Sequence, residues 1–133
     1  MSLRNLLRAF TRDHGDTVVA YFNGPAPDDR VLDHALVLAR PLRPTRPGLA
    51  WQQWRLPRAT RADGLDVFFA PAYTCPWFLD VPRVTTVHDL SFFSLPQDFT
   101  LADGLRRRLL VERSVRASAA IVAVSDFTRR EIC

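Results

Sequence analysis

His88 and Asp89 are the neighbouring residues in this sequence whose types and position are best suited to chemistry. They directly follow a β-branched run, Arg83 to Val87, which Pro82 introduces, and such a run is typical of a buried strand. In an open parallel sheet, ligands bind beyond the carboxyl ends of the strands. An imidazole placed there can donate or accept a hydrogen bond near neutral pH. The pair is therefore a candidate site, although the same pattern also fits a turn capped by Asp89 beside a packed His88.

The second half of the chain alternates strand and helix patterns around this pair. We expect strands at residues 65–70, 83–87 and 119–124, a loop at 90–100, a helix at 101–118 and a second helix after Ser125, which has the position of an N-cap. This alternation predicts an α/β fold, a Rossmann-like parallel sheet flanked by helices. The carboxyl ends of its strands meet at one edge, which would bring Tyr73, His88 and Ser125 together.

The first helix pattern is both apolar and basic. Leu3, Leu6, Leu7 and Phe10 recur at helical spacing, and Gly15 follows at the position of a helix C-cap. A row of arginines, at positions 4, 8 and 12, lies on another face. Such a helix can lie on a membrane surface, or it can cover a core with its apolar stripe while the arginines are solvated.

Two strands and a second helix complete the first half. The strands are predicted at residues 17–22 and 35–39, whereas residues 41–47 contain three prolines and are predicted to be irregular. Residues 49–62 look helical despite Pro57, and Gly64 ends the segment. Trp51 and Trp54 would share one face of that helix. Two tryptophans at this spacing are more typical of a core than of a stacking platform.

Composition limits the class of protein. The chain has 133 residues, of which 47% are hydrophobic, as expected for one globular domain. No apolar run approaches the length of about 18 residues that crossing a bilayer requires. Cys75 and Cys133 are far apart and lack the companions of a zinc site or a disulfide framework. We therefore expect a cytoplasmic protein in a reducing compartment.

The basic residues are all of one type. All eighteen basic residues are arginine, and the formal net charge is +4. A basic protein suits an anionic partner such as nucleic acid, an acidic lipid surface or a phosphorylated substrate. A genome rich in G and C would also produce such a set of arginines, so the net charge alone does not select a partner.

Four segments of the chain are similar to one known family. They are 66–74 (DVFFAPAYT), 84–93 (VTTVHDLSFF), 104–108 (GLRRR) and 121–132 (IVAVSDFTRREI). Their order and separations resemble the N-terminal domain of family-4 retaining glycosyltransferases, which have the two-domain GT-B fold. The resemblance implies that residues 1–133 form a single, partial N-terminal domain, one half of a GT-B fold.

The resemblance also implies an activity and roles for four residues. A hexose would pass from a nucleotide-sugar to a glycan or lipid-linked acceptor, with retention at the anomeric carbon, no cofactor and no obligatory metal. The N-terminal domain of the family holds the acceptor. By the resemblance, His88 faces the cleft and hydrogen-bonds a hydroxyl of the donor sugar, and Asp89 belongs to the same motif. Tyr73 would line the acceptor side, and Ser125 would cap the helix beside the cleft.

The chain departs from the family pattern at both ends. The nucleotide-binding C-terminal domain has no counterpart here, nor do the opening strand and its Gly-rich turn. We therefore expect a truncated domain that is inactive alone and binds nucleotide-sugars weakly. Without the opening strand, strand edges would be unpaired, so we expect a homodimer or an aggregation-prone monomer. Peripheral contact with the inner face of the membrane is a further expectation for a basic domain of this kind.

A second hypothesis comes from another functional class. The chain could be a non-catalytic basic module that binds an anionic membrane surface or nucleic acid. The sequence has no RNA-recognition or zinc-finger signature, and its aromatic residues lie in apolar runs rather than among the arginines. We therefore expect no nucleic-acid partner.

Overall fold

The computed structural model of this chain describes residues 3–13, 15–43, 48–88, 90 and 100–132. Contacts within the chain divide it into two units, Met1–Ala59 and Thr60–Cys133. The first contains a two-stranded sheet and the second a three-stranded sheet. All strand pairs in both sheets are parallel, which confirms the predicted α/β class.

The first unit begins with helix α1 (Leu3–Asp13), which is followed by strand β1 (Val18–Asn23), a short 3-10 helix (Arg30–Asp33) and strand β2 (Val37–Leu42). Gly15, just after α1, has a φ of +69°, in the left-handed region that glycine favours at helix ends. Strands β1 and β2 pair from Val18 opposite Val37 to Asn23 opposite Leu42. Both predicted strands are therefore confirmed, and β2 extends three residues beyond its predicted end.

Pro41 corrects one prediction, because residues 41 and 42 were expected to be irregular and belong to β2 instead. The N–H of Val18 donates to the carbonyl of Leu36 at 2.7 Å, so the even-numbered residues of β2 direct their backbone groups toward β1. Pro41 is odd-numbered, and its missing N–H would point away from β1. No bond of this ladder is lost, and a proline is tolerated there.

The predicted helix at residues 49–62 is present, with a π turn inside it. Helix α2 (Gly48–Ala50) continues into a π-helical turn (Trp51–Arg55) and then into helix α3 (Leu56–Asp63). The N–H of Leu56 donates to the carbonyl of Trp51, five residues earlier. In a regular α-helix the ring of Pro57 would clash with the carbonyl of Gln53, and we attribute the wider turn to that proline.

Trp54 corrects the expectation that both tryptophans belong to a core. Its side chain is 64% exposed, whereas Trp51 is half-buried. The prediction assumed α-helical spacing, in which residues three apart share a face. A π turn contains more residues per turn, so the two side chains diverge.

The second unit contains strand β3 (Phe68–Ala70), strand β4 (Arg83–Val87), helix α4 (Leu101–Ala117), strand β5 (Ala120–Ala123) and helix α5 (Asp126–Ile132). The strand order is β3-β4-β5, so β4 lies in the centre of the sheet. Strand β4 has the predicted bounds, while β3 is shorter than the predicted 65–70. Before β3, Gly64 ends α3 with a φ of +62°, as predicted.

Strand β5 corrects a further expectation, that residues 119–124 form a buried strand. Its residues alternate between exposed and half-buried, and Val122 is 45% exposed. Among the described strands β5 pairs only with β4, so it lies at the edge of the sheet. An apolar run indicates burial only where both faces of the strand are covered.

The core of the second unit surrounds the end of β4. Val87, Leu90 and Val111 are buried together, and four half-buried side chains pack against them: Tyr73, Val115, Ile121 and Ile132. Cys75 is fully buried and forms no disulfide with a described residue, while Cys133 lies outside the described residues. The hydroxyl of Ser114 accepts from the backbone N–H of Cys75 at 3.1 Å and donates to the Leu110 carbonyl at 2.8 Å.

An exposed ion pair joins α3 to the segment before β4. Arg61 Nε and Asp80 Oδ2 are 2.6 Å apart. The hydrogen bond from Arg61, reinforced by its charge, lowers the pKa of the Asp80 carboxyl from its ordinary value. Both side chains are largely solvated, so the pair contributes little to stability.

Helix α4 is regular and solvated along much of its length. The hydroxyl of Thr100 caps it by accepting from the N–H of Asp103 at 3.2 Å, and Arg116 and Glu112 form an ion pair of 2.6 Å one turn apart. Among the helices in the described part of the chain, none is long and apolar enough to cross a membrane.

Candidate functional site

The three candidate residues that the structure describes come to one edge of the second sheet. Strands β3, β4 and β5 run in the same direction, so their carboxyl ends lie at the same edge. Tyr73 follows β3, His88 follows β4 directly, and Ser125 follows β5. Asp89, the fourth candidate, lies outside the described residues.

The imidazole of His88 is exposed and held by a backbone carbonyl. Its Nε2 atom lies 2.8 Å from the carbonyl oxygen of Pro71, in the loop after β3. A carbonyl oxygen can only accept, so Nε2 carries the proton in this contact. In the neutral ring, Nδ1 then has a free lone pair, and it has no hydrogen-bond partner among the residues that the structure describes. The ring can therefore accept one hydrogen bond from a ligand hydroxyl.

Tyr73 limits the movement of this imidazole. The centroids of the two rings are 5.6 Å apart, and their planes meet at 63°, an edge-to-face arrangement. Tyr73 is itself half-buried against the cluster of Val87, Leu90 and Val111. The position of the His88 ring is thus set by a carbonyl on one side and by a packed aromatic ring on the other.

Thr128, which sequence reasoning missed, connects Ser125 to His88. Its hydroxyl donates to the carbonyl of His88 at 3.1 Å, and its side chain is 2% exposed. That bond uses the only proton of the Thr128 hydroxyl, so in the 3.0 Å contact between the two hydroxyls Ser125 donates. The Ser125 oxygen also accepts from the N–H of Thr128 at 3.1 Å, which caps α5 as its position predicts.

The chemistry that the described side chains offer at this edge is hydrogen bonding. The described side chains are an imidazole, a phenol and two hydroxyls. Both hydroxyls already form hydrogen bonds to backbone groups, that of Thr128 to the His88 carbonyl and that of Ser125 to the N–H of Thr128. No group of three potential ligands that could hold a metal ion occurs among the described residues. The arrangement suits orientation of a polyhydroxylated ligand by directed hydrogen bonds.

Replacing Ser125 with alanine tests this connection. Ser125→Ala removes the cap of α5, and we expect the free energy of unfolding in urea to fall by about 1 kcal/mol. It also removes the hydrogen bond that the Thr128 hydroxyl accepts, so the NMR signals of the His88 ring are expected to shift. The matched control is Thr100→Ala, which removes the cap of α4 at a similar cost. Equal shifts of the His88 signals in both variants would contradict the connection.

Comparison with known proteins gives one match. The model of the family described as Glycosyltransferase Family 4 matches residues 1–133. No curated protein and no solved structure matches the chain. The family match covers both units, and so it includes the strand ends that carry Tyr73, His88 and Ser125.

Proposed function

Because this chain belongs to glycosyltransferase family 4, we propose that it is the acceptor-side domain of an enzyme that transfers a hexose, with retention, from a nucleotide-sugar to a glycan or lipid-linked acceptor. Membership confirms the resemblance that the four sequence segments indicated. The observation that supports this function most is the state of the His88 ring. It is exposed at the carboxyl edge of the sheet, held through Nε2, and able to accept through Nδ1.

His88 orients the donor sugar in this proposal. Transfer breaks the bond between the anomeric carbon and the diphosphate oxygen and forms a bond to an acceptor hydroxyl oxygen, whose proton passes to the departing diphosphate. A sugar hydroxyl that donates to Nδ1 fixes the ring of the donor while these bonds exchange. Such positioning lowers the activation free energy because the reactants are already oriented. In this role the imidazole accepts a hydrogen bond through Nδ1 while Nε2 keeps its proton on the Pro71 carbonyl.

Tyr73 and Thr128 support this role from two sides. The edge of the Tyr73 ring contacts the His88 imidazole, and Thr128 holds the His88 carbonyl. A hydrogen bond to a fixed acceptor needs no reorganisation when the sugar reacts. Tyr73 follows β3 at the same edge, and we assign it to the acceptor side.

The chain alone is expected to bind nucleotide-sugars with dissociation constants weaker than micromolar, and to transfer no sugar. Binding a diphosphate tightly requires helix N-termini and cationic side chains converging on it, and none of the four described side chains assigned to the His88 edge is an arginine. Calorimetry with UDP-, GDP- and ADP-sugars is the test. Micromolar binding that His88→Ala leaves unchanged would contradict the assignment of this edge to the sugar rather than to the diphosphate.

A further inference from the structure

The net positive charge of the protein comes from one part of the chain. Residues 1–59 contain nine arginines and five aspartates, whereas residues 60–133 contain nine arginines and nine acidic residues. The whole formal charge of +4 therefore belongs to the first unit. Within it, the stretch from residue 34 onward is more extreme, since residues 34–59 contain five arginines and no acidic residue.

A cavity in the first unit collects two of these arginines. It has a volume of about 530 Å³, and the described residues that line it are Leu42, Arg55, Arg58 and Ala59. Leu42 is the last residue of β2, and the other three belong to the π turn and to α3. The described wall thus consists of two guanidinium groups and two apolar side chains, with no carboxylate.

The two guanidinium groups have almost no protein partners. Arg58 Nη1 contacts the carbonyl of Trp54 at 3.4 Å, and Arg55 has no hydrogen bond or ion pair within the described ranges. Arginines of the second unit differ, since Arg61 and Arg116 each hold a carboxylate at 2.6 Å. Two cations on one cavity repel each other, and a bound anion would remove that repulsion.

The cavity also lies where ligands commonly bind in parallel α/β proteins. Strand β2 is parallel to β1, and the cavity lies at its carboxyl end, where parallel α/β sheets bind ligands. The π turn that carries Arg55 is a second indication, because single π turns inside helices are frequent at functional sites. These two observations are independent of the charge distribution.

We propose that this cavity binds the phosphate group of a phosphomonoester, with Arg55 and Arg58 as the anion-binding residues. The planar guanidinium forms paired hydrogen bonds to phosphate oxygens, and a terminal phosphate carries up to two charges to match the two arginines. The volume falls in the range of small-molecule sites, so it accommodates an organic portion next to Leu42 and Ala59. The proposal does not depend on glycosyl transfer or on the His88 edge.

The test is titration of the full chain, at low salt, with two kinds of phosphomonoester. The fluorescence of Trp54 reports the binding. The soluble probe is glucose 6-phosphate, and the lipid probe is phosphatidic acid in phosphatidylcholine vesicles, with pure phosphatidylcholine vesicles as the blank. We expect saturable binding to one of the two phosphate probes, with a dissociation constant of about 1 mM or lower for the soluble one. Trp54→Phe is expected to remove the signal, because Trp54 adjoins both arginines in the helix.

Matched variants separate a site from general charge. Arg55→Gln with Arg58→Gln is expected to weaken binding about tenfold or more. Arg106→Gln with Arg107→Gln removes the same charge from exposed positions of α4, and we expect less than a twofold change. Arg55→Lys with Arg58→Lys keeps the charge but not the planar fork, and we expect an intermediate loss. If circular dichroism shows that the glutamine variant of Arg55 and Arg58 is unfolded, the lysine variant takes its place in the comparison.

Each outcome has a defined meaning. Saturable binding of glucose 6-phosphate supports a soluble ligand, whereas binding only to phosphatidic acid vesicles, weakened by the same variants, supports a lipid phosphate. Equal losses in the cavity variant and the α4 variant would overturn the site, since they would indicate binding to net charge alone. Absence of binding to both probes would overturn it as well.

Discussion

His88→Ala is expected to lower turnover about 100-fold in a two-domain family-4 enzyme that carries this chain as its N-terminal half. Loss of one fixed hydrogen-bonding group that acts in the transition state typically has an effect of this size. The free energy of unfolding is expected to change by less than about 0.5 kcal/mol, since the ring is exposed and its main contact is with one carbonyl. The measurements are kcat at saturating donor and urea denaturation of the same preparations.

Two further variants make this result specific. His88→Asn supplies an amide that can donate or accept a hydrogen bond, and it should retain part of the turnover that His88→Ala loses. The matched control is His34→Ala in the first unit, where the imidazole only accepts from the N–H of Leu36 at 3.2 Å. It should leave kcat unchanged. A loss of stability without a loss of turnover in His88→Ala would mean that the ring serves packing and not the sugar.

Ser114→Ala is expected to reduce the free energy of unfolding by about 1–3 kcal/mol, the cost of leaving a buried donor without an acceptor. The donor is the N–H of Cys75, a residue with no exposed surface, and Ser114 Oγ accepts from it at 3.1 Å. Water has no access to replace the lost acceptor there. Urea denaturation followed by circular dichroism measures the change.

Thr85→Val is the control for this prediction. Thr85 is also fully buried, and its hydroxyl lies 2.7 Å from that of Ser118. Ser118 already donates to the carbonyl of Ser114, so Thr85 is the donor in this pair. Valine has nearly the same shape and leaves only an acceptor lone pair unmatched, so we expect a loss below about 1 kcal/mol. If Ser114→Ala and Thr85→Val reduced the free energy of unfolding equally, the loss would not be determined by which polar atom is left unmatched.

Local sequence signals were sufficient for β4 and for the edge that follows it. Pro82 marks the start of the strand, the β-branched run fills it, and His88 follows its last residue. The alternation of strand and helix patterns indicated a parallel sheet, so the positions of Tyr73 and Ser125 at the same edge could also be predicted. The N-cap of α5 needed only a serine at the right spacing.

Features that depend on packing could not be predicted in this way. The bond from Thr128 to the His88 carbonyl joins residues 40 positions apart and depends on where α5 lies over the end of β4. The exposure of Val122 depends on which face of β5 is covered by other elements, and the apolar run itself does not specify that. Pro57 was the only local sign of the π turn, and the assumed α-helical spacing placed Trp54 in a core where it does not lie.

The π turn restricts which changes in chain length this segment can accept. A π turn is in effect an α-helix with one inserted residue, and each residue rotates an α-helix by about 100°. Deleting Gln52 or Gln53 would therefore rotate Trp51 and α2 by that angle relative to α3, and Pro57 would again face a carbonyl four residues earlier. Substitutions preserve this geometry, whereas a one-residue deletion does not. Homologues that keep the proline should therefore keep the length of this segment even where they change its side chains.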